Sequence, residues 1–225
     1  MTTTLNASNL FLDDFHRLLH LEEISNDSFI NLLILTPLIE NEQQEVLQIR
    51  KDFRHYFSAG KVYKGLVKLI VITPLMRLAG FYQYPIEIRL EENIADIDIE
   101  DEDTKITGRM DILVVNKAMP TTTGISFWIL VIETKNTLAE AFAGLPQLLT
   151  YAYKSLENQQ SVWGLTTNGL RYQFVYLQQG NSPTYQLLPE LNLIDSELTI
   201  QLLQVLKAIC KLQHNSSASL GGIVT

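Results

Sequence analysis

Cysteine is nearly absent from this sequence, since Cys210 is the only one among 225 residues. A single cysteine cannot form a disulfide within the chain, and such usage is typical of a reducing compartment, so we predict a cytoplasmic protein. The sequence shows no activating neighbour for Cys210. We therefore expect a small apolar residue on a helix face rather than a nucleophile.

Long apolar runs are also lacking, and with them the signature of a membrane protein. The longest candidate, residues 30–39, is interrupted by Asn31 and Pro37 and is too short to cross a bilayer. The N-terminus has neither the basic nor the apolar region of a secretory signal. A Walker-type glycine loop is missing as well, so we expect no ATP-driven motor within this chain.

Acidic residues are missing from one long segment, although the whole chain carries a net charge of −8. That net charge argues against non-specific nucleic-acid binding by the entire surface. Between Phe53 and Ile86 all five charged side chains are basic, whereas residues 87–103 contain nine acids and a single arginine. The first segment therefore offers a local basic surface. Its basic residues are Arg54, Lys61, Lys64, Lys68 and Arg77.

Three of these lysines, Lys61, Lys64 and Lys68, recur at steps of three and four, as residues on one face of a helix do. We predict an amphipathic helix over residues 61–79. The lysine stripe has two interpretations, ordinary solvation or contact with the phosphates of a nucleic acid. The opposite, apolar face consists of Val62, Leu66, Leu69, Ile70 and Thr73.

Apolar periodicity predicts a helical first part and a mixed second part of the chain. The predicted fold is α/β (mixed α+β), with a central mixed sheet flanked by helices. We divide the chain into an N-terminal helical extension (1–60), a core (61–190) and a C-terminal helix with a flexible tail (191–225). The predicted helices cover residues 6–20, 29–57 with a kink or restart at Pro37, 61–79, and 138–153 with an interruption at Gly144 and Pro146. Ser196 caps a last predicted helix. The predicted strands cover residues 84–90, 94–99 and 110–115, which form a meander with an acidic turn at 100–103, and then 127–132, 162–166, 171–178 and 184–188.

An unbroken apolar run, residues 127–132, ends on Glu133, Thr134 and Lys135. Such a run predicts a strand that is buried on both faces. Because strand side chains alternate, Glu133 and Lys135 point to the same side. Charges at the end of a buried strand are costly unless they serve a purpose. This strand end is therefore a candidate site.

A second carboxylate, Asp111, precedes another apolar run, residues 112–115, and lies 22 positions before Glu133. If the two strands pair antiparallel, both carboxylates meet at one edge of the sheet. Two carboxylates and a main-chain carbonyl suit Mg²⁺ or Mn²⁺ with several bound waters. Lys135 fits as a group that positions a nucleophilic water or offsets charge on a phosphoryl group. The alternative is a structural Glu133–Lys135 ion pair, with Asp111 capping a turn.

Four segments together carry a family resemblance: GRMDILVV at 108–115, VIETK at 131–135, Gln147 with Tyr151, and LTTNG at 165–169. They resemble the PD-(D/E)xK nuclease superfamily, and most of all the N-terminal nuclease region of type I restriction enzyme motor subunits. The resemblance covers roughly residues 61–178. It implies a restriction-endonuclease-like core and Mg²⁺-dependent cleavage of phosphodiester bonds in DNA.

The resemblance also implies roles for the residues at the two strand ends. Asp111 and Glu133 become metal ligands, and Thr134 offers its carbonyl oxygen to the same metal. Lys135 becomes the catalytic lysine.

Residues outside the strand ends have both a functional and a structural interpretation. Gln147 joins the catalytic residues and Tyr151 the nucleic-acid contacts, unless this pair only packs its helix against the sheet. Arg109 either contacts a phosphate or pairs with the acidic loop. The Thr167-Asn168-Gly169 segment is interpreted as a plain turn.

One departure from the family pattern concerns the metal. Many relatives carry an additional glutamate on the helix before the first strand, whereas residues 61–79 contain no acid. A third carboxylate would have to come from elsewhere, for example Glu87 or Glu91. The rival hypothesis is therefore a nuclease-derived module that has lost turnover and binds nucleic acid or a protein partner.

Another departure concerns partners. The similar nuclease region of the type I restriction enzymes normally precedes an ATP-driven motor. The resemblance therefore implies a separate motor or specificity subunit as a partner besides DNA. Cutting both strands of a duplex with one site per chain favours a homodimer.

Overall fold

The computed structural model describes residues 3–25, 28–93, 97–99, 103–119 and 126–218. Its main feature is a large mixed sheet flanked by helices, so the predicted mixed α/β class is confirmed. Within these ranges, no helix is long and apolar enough to cross a membrane. The helices are α1 (Leu12–Leu19), α2 (Glu40–Ser58), α3 (Lys64–Val67), α4 (Thr73–Ala79), α5 (Leu145–Ser155) and α6 (Ser196–Ala218). The strands are β1 (Thr3–Asn6), β2 (Glu22–Ser25), β3 (Ile86–Leu90), β4 (Ile97–Ile99), β5 (Thr104–Thr107), β6 (Ile112–Asn116), β7 (Phe127–Thr134), β8 (Ser161–Thr167), β9 (Arg171–Gln178), β10 (Thr184–Leu187) and β11 (Leu191–Asn192).

The main sheet has eight strands in the order β2-β10-β9-β8-β7-β6-β3, with β11 paired to β9 beside this path. The β7–β8 and β10–β2 pairs are parallel, and the other pairs are antiparallel. Strand β6 shows why the sheet needs helices on both faces. Its residues Ile112 and Val114 pack with α2, α4 and α6, whereas Leu113 and Val115 pack with α1 and α5.

A second, three-stranded sheet has the order β1-β5-β4. The predicted meander through residues 94–99 is therefore wrong, because β3 pairs directly with β6 and β4 pairs with β5 instead. The reason is that β6, buried on both faces, needs a hydrogen-bonded neighbour on each edge, and β3 and β7 supply these. Residues 94–96 of that predicted strand, 100–102 of the acidic turn and 219–225 of the tail lie outside the described residues.

The N-terminal segment differs from the helical extension that we predicted. Strand β1 belongs to the three-stranded sheet and β2 to the main sheet. Residues 29–31 form only a short 3-10 turn before α2 begins at Glu40. Pro37 has no N–H to continue a helix, and the apolar residues around it pack from an irregular backbone. Leu33 is buried, whereas Ile34 is 86% exposed. The division of the chain at residues 60 and 190 stays a prediction.

The helix predicted over residues 61–79 begins at Lys64 and contains a π-helical turn, Lys68–Ile72, between α3 and α4. The N–H of Thr73 donates to the carbonyl of Lys68, and Pro74 follows without an N–H of its own. Val67, Val71 and Leu75 form the buried face instead. Leu69, predicted on the apolar face, is 65% exposed.

Helix α5 also begins differently from our prediction. A 3-10 turn, Ala141–Gly144, leads directly into it, and Pro146 lies in its first turn. Proline is compatible with that position because the first N–H groups of a helix have no partner within it. Pro146 thus starts the helix rather than interrupting it.

Candidate active site

Strands β6 and β7 pair antiparallel, as predicted, with Ile112 opposite Ile132. That register puts Asp111 beside Glu133 at one edge of the sheet, although 22 positions separate them in the chain. Both carboxylates are buried, with 2% of Asp111 and 1% of Glu133 exposed. The sheet therefore brings together the two acids that the sequence pattern singled out.

Asp111 has a partner for each of its carboxylate oxygens. Its Oδ2 accepts hydrogen bonds from the N–H and the hydroxyl of Thr134, each at 2.7 Å. Its Oδ1 lies 2.6 Å from Lys64 Nζ and 3.0 Å from Lys68 Nζ. Burial by itself raises the pKa of Asp111, but hydrogen bonds from Lys64, Thr134 and Lys68 outweigh it and hold this pKa below its ordinary value. Asp111 is thus a stable anion.

Glu133 is held less completely. Its Oε1 accepts a hydrogen bond from Lys135 Nζ at 3.1 Å and lies 3.8 Å from Lys64 Nζ. Among the residues that the structure describes, Glu133 Oε2 is the buried side-chain oxygen without a hydrogen-bond partner. Burial, and after it the charge of Asp111, raise the pKa of Glu133 to about 7. A buried carboxylate oxygen without a protein donor is suited to accept a cation.

A hydrogen-bonded chain continues from Lys135 into helix α5. Lys135 Nζ donates to Gln147 Oε1 at 3.0 Å, and Gln147 Nε2 donates to the hydroxyl of Tyr151 at 2.7 Å. That hydroxyl also accepts the N–H of Arg109 at 3.1 Å. Gln147 and Tyr151 therefore face the site. They contact Lys135 and the segment that leads into Asp111, and their roles in catalysis and nucleic-acid binding stay predictions.

Two glycines permit this close packing. A Cβ at Gly108 would lie 2.7 Å from Tyr151 Cε1, and a Cβ at Gly144 would lie 2.3 Å from Thr166 Oγ1 and 3.2 Å from Glu133 Cγ. The 2.7 Å and 2.3 Å contacts are shorter than real Cβ atoms show, and the 3.2 Å contact is unusually tight. The two glycines thus let the backbone approach Tyr151 on one side of the site and Glu133 on the other.

Two of the three lysines of the stripe lie at the site, and the third lies on the surface. Lys64 and Lys68 reach Asp111, and Lys68 also pairs with Glu91 at 2.7 Å. Lys61 instead lies 4.8 Å from the ring centroid of Tyr63. The pattern predicted solvation or phosphate contact for these lysines, and neither interpretation anticipated ion pairs with a buried carboxylate.

Arg109 and Glu91 form the outer rim of the site. Arg109 Nε lies 3.1 Å from Glu91 Oε2, so this arginine pairs with an acid near the end of β3. A polar cavity of about 680 Å³ opens between this rim and the site. Asn6, Ser8 and Asn93 also line it, and we had not predicted them, because nothing in the local sequence links the first strand to this edge of the main sheet.

The remaining candidates have structural roles. Asn168 accepts the N–H groups of Leu170 and Arg171 and donates to the carbonyl of Ala139, as expected for a turn. Cys210 is buried on α6, and burial raises the pKa of its thiol to about 11, so an apolar packing role is confirmed.

The donor set at the strand ends fits one hard divalent cation. Asp111 Oδ1 and Glu133 Oε1 both face Lys64 Nζ, and Glu133 Oε2 is buried without a hydrogen-bond partner among the described residues. Within the described ranges, no group of three or more His, Cys, Asp or Glu side chains is positioned to hold a metal ion. A bound Mg²⁺ would therefore rely on two carboxylates, main-chain oxygen and water, as this ion commonly does.

The chain matches no model of a known protein family and has no significant match among curated protein sequences. The relationship to PD-(D/E)xK nucleases therefore stays a prediction based on the sequence resemblance.

Proposed function

We propose that this protein is a metal-dependent DNA endonuclease with a restriction-endonuclease-like core. The observation that supports this most is the meeting of Asp111, Glu133 and Lys135 at one sheet edge, with both acids buried. Burying two carboxylates side by side is unfavourable unless cations offset their charge. A site for a divalent cation next to an oriented lysine is a reason for a protein to keep this arrangement.

In this proposal Asp111, Glu133 and the carbonyl of Thr134 hold Mg²⁺ or Mn²⁺. When bound, such an ion polarises a phosphodiester and lowers the pKa of a bound water. Lys135 orients the attacking water, or offsets the negative charge that develops on the phosphoryl oxygens. Gln147 fixes the direction of Lys135 through their 3.0 Å hydrogen bond, and Tyr151 fixes Gln147 in turn.

The proposed substrate is DNA, whose backbone would enter the polar cavity beside the site. Lys64, Lys68 and Arg109 lie at this cavity or at the carboxylates and offer positive charge to phosphates. Tyr151, predicted as a nucleic-acid contact, is 1% exposed and instead holds Gln147 and the N–H of Arg109. Lys61, which is exposed beside Tyr63, would contact a more distant phosphate. We further propose a homodimer for cutting both strands, and a separate motor or specificity subunit as partner.

One observation favours a second candidate function, a module that binds nucleic acid or a protein without turnover. Lys64 and Lys68 already offset the charge of Asp111, and the helix that carries them contains no acid. A site that is neutralised by its own lysines is stable without a metal.

A cleavage assay separates the two functions. The purified protein is incubated with supercoiled and linear DNA in Mg²⁺, Mn²⁺ or EDTA, beside Glu133→Ala and Lys135→Ala. We expect metal-dependent nicking that both substitutions abolish. Lys154→Ala is the control, because Lys154 pairs with Glu157 on the surface and should leave nicking unchanged. Equal inactivity of all variants, with DNA still retarded on gels, would establish the binding module instead.

A further inference from the structure

Lys64 occupies the position between the two carboxylates. Its ammonium lies 2.6 Å from Asp111 Oδ1 and 3.8 Å from Glu133 Oε1, so it contacts one acid and is close to the other. The neighbouring lysines each belong to one side: Lys68 pairs with Asp111 and Lys135 with Glu133. Lys64 is therefore the cation that the two acids share.

The oxygens that Lys64 contacts are the ones that a metal ion needs. Thr134 donates two hydrogen bonds to Asp111 Oδ2. The other carboxylate oxygen, Oδ1, is therefore the one that faces cations. That oxygen carries Lys64 and Lys68 together. A divalent ion placed against two ammonium groups at such distances is repelled, and little solvent is available to screen the repulsion.

The two lysines on Asp111 differ in how easily they can leave. Lys68 also pairs with Glu91, and the side chain of Lys68 is only 20% exposed. The side chain of Lys64 is 43% exposed, and Lys64 is the first residue of α3. Apart from its chain neighbours and its own helix backbone, nothing lies within 4 Å of a Cβ built at the adjacent Gly65. Lys64 has a long, flexible stem and open space beside it, so it can swing away while Lys68 stays.

We propose that Lys64 acts as an internal competitor for the metal, holding the carboxylates in the metal-free protein and leaving them when a divalent ion binds. This inference rests on the proposed metal-dependent function and adds a regulation of the same site. Its departure also delivers a positive charge to the mouth of the polar cavity, where a phosphate would lie.

Calorimetric titration of the DNA-free protein with Mn²⁺ tests the competition directly. Lys64→Gln removes the competing charge, and we expect it to bind Mn²⁺ about tenfold more tightly than the wild type, the effect of losing one partly buried like charge. Lys61→Gln is the matched control, since it changes the net charge equally but removes a lysine that contacts Tyr63. Equal affinities in all three proteins, or equal gains in both variants, would overturn the proposal.

Amine labelling of the wild-type protein gives a second measurement that does not depend on whether a variant folds. Lys64 should react faster with an amine reagent as Mn²⁺ is added, because its ammonium is released, whereas Lys61 should react at a constant rate. Unchanged labelling of Lys64 over a titration that saturates the site would refute the exchange. Both readouts omit DNA, so absence of nuclease activity would refute the proposed function while the competition is judged separately.

Discussion

The two ends of strand β7, one at Trp128 and the other at Glu133, are closed by different chemistry. At the far end Gln159 accepts the N–H of Trp128 at 2.7 Å and donates to the carbonyls of Trp128 and Ser161. One neutral amide thus satisfies the backbone there. At the near end Asp111 and Glu133 face lysines, and one carboxylate oxygen has no donor among the described residues.

The contrast teaches which end has a purpose beyond stability. A neutral amide closes a strand end with little desolvation cost, since its donors and acceptor are all used. Paired buried charges stabilise a fold less than well-packed neutral groups do. The near end keeps charges where a neutral solution was available, and a functional site explains this choice.

The largest expected effect is on the nicking rate, which substitutions at the Glu133 end of β7 should lower and a substitution at the Gln159 end should not. Glu133→Gln and Lys135→Ala should lower the rate of metal-dependent nicking by about 100-fold or more, because a metal ligand or the group that orients water is lost. Gln159→Ala should leave the rate of the folded protein within about twofold, since Gln159 only closes the far end. Initial nicking rates well below the unfolding temperature measure both. Comparable losses in all three variants would erase the distinction.

The next effect separates the ends by stability. Gln159→Ala leaves the N–H and the carbonyl of Trp128 without their partner, and we expect the free energy of unfolding to fall by about 3 kcal/mol. Urea denaturation at pH 7 measures this change. Gln44→Ala is a matched control, because its side chain is exposed on α2 and its 3.2 Å bond to Glu40 lies at the surface. A loss below about 1 kcal/mol for Gln159→Ala would mean that water replaces the amide.

A smaller, pH-dependent effect is a gain in the free energy of unfolding, in contrast to the loss expected for Gln159→Ala. The pKa of Glu133 is about 7 in the folded protein, against 4.5 as its ordinary value. The folded state thus holds this proton more tightly, so wild-type stability falls as pH rises from 4.5 towards 7. Glu133→Gln has no proton to lose. We expect it to be more stable than the wild type by about 2 kcal/mol at pH 8 in EDTA.

That difference should shrink towards zero near pH 4, where wild-type Glu133 is protonated in both states. Urea denaturation at the two pH values measures it. A stability difference that does not change with pH would show that Glu133 is not held in its neutral form, and that both ends are equally well satisfied.

The smallest effect concerns the rim of the site. Arg109 is 62% exposed and pairs with Glu91, so Arg109→Ala should leave the fold intact and weaken DNA binding only a few-fold. Its loss should lower the slope of log affinity against log salt by about 1, as expected for one phosphate contact. Fluorescence anisotropy over a range of salt concentrations measures the slope. An unchanged slope would assign Arg109 to its ion pair alone.

Local patterns were enough to predict the central strands and the meeting of Asp111 with Glu133. An apolar run of strand length can only be buried, and alternation then fixes the directions of Glu133 and Lys135. The helical spacing of Gln147 and Tyr151 likewise put both on one face. The strands β1 and β5 were missed because each is short and stable only through its partner in the second sheet.

The sequence by itself determined which residues stand at the strand ends, because side-chain alternation and burial follow from a few neighbouring residues. Only the tertiary structure decided what those residues contact. Lys64 and Lys68 are more than 40 positions before Asp111, and their ion pairs depend on how α3 and its π-helical turn pack over β6. Charge–charge contacts of this kind depend on distance in space, and spacing along the chain does not encode that distance.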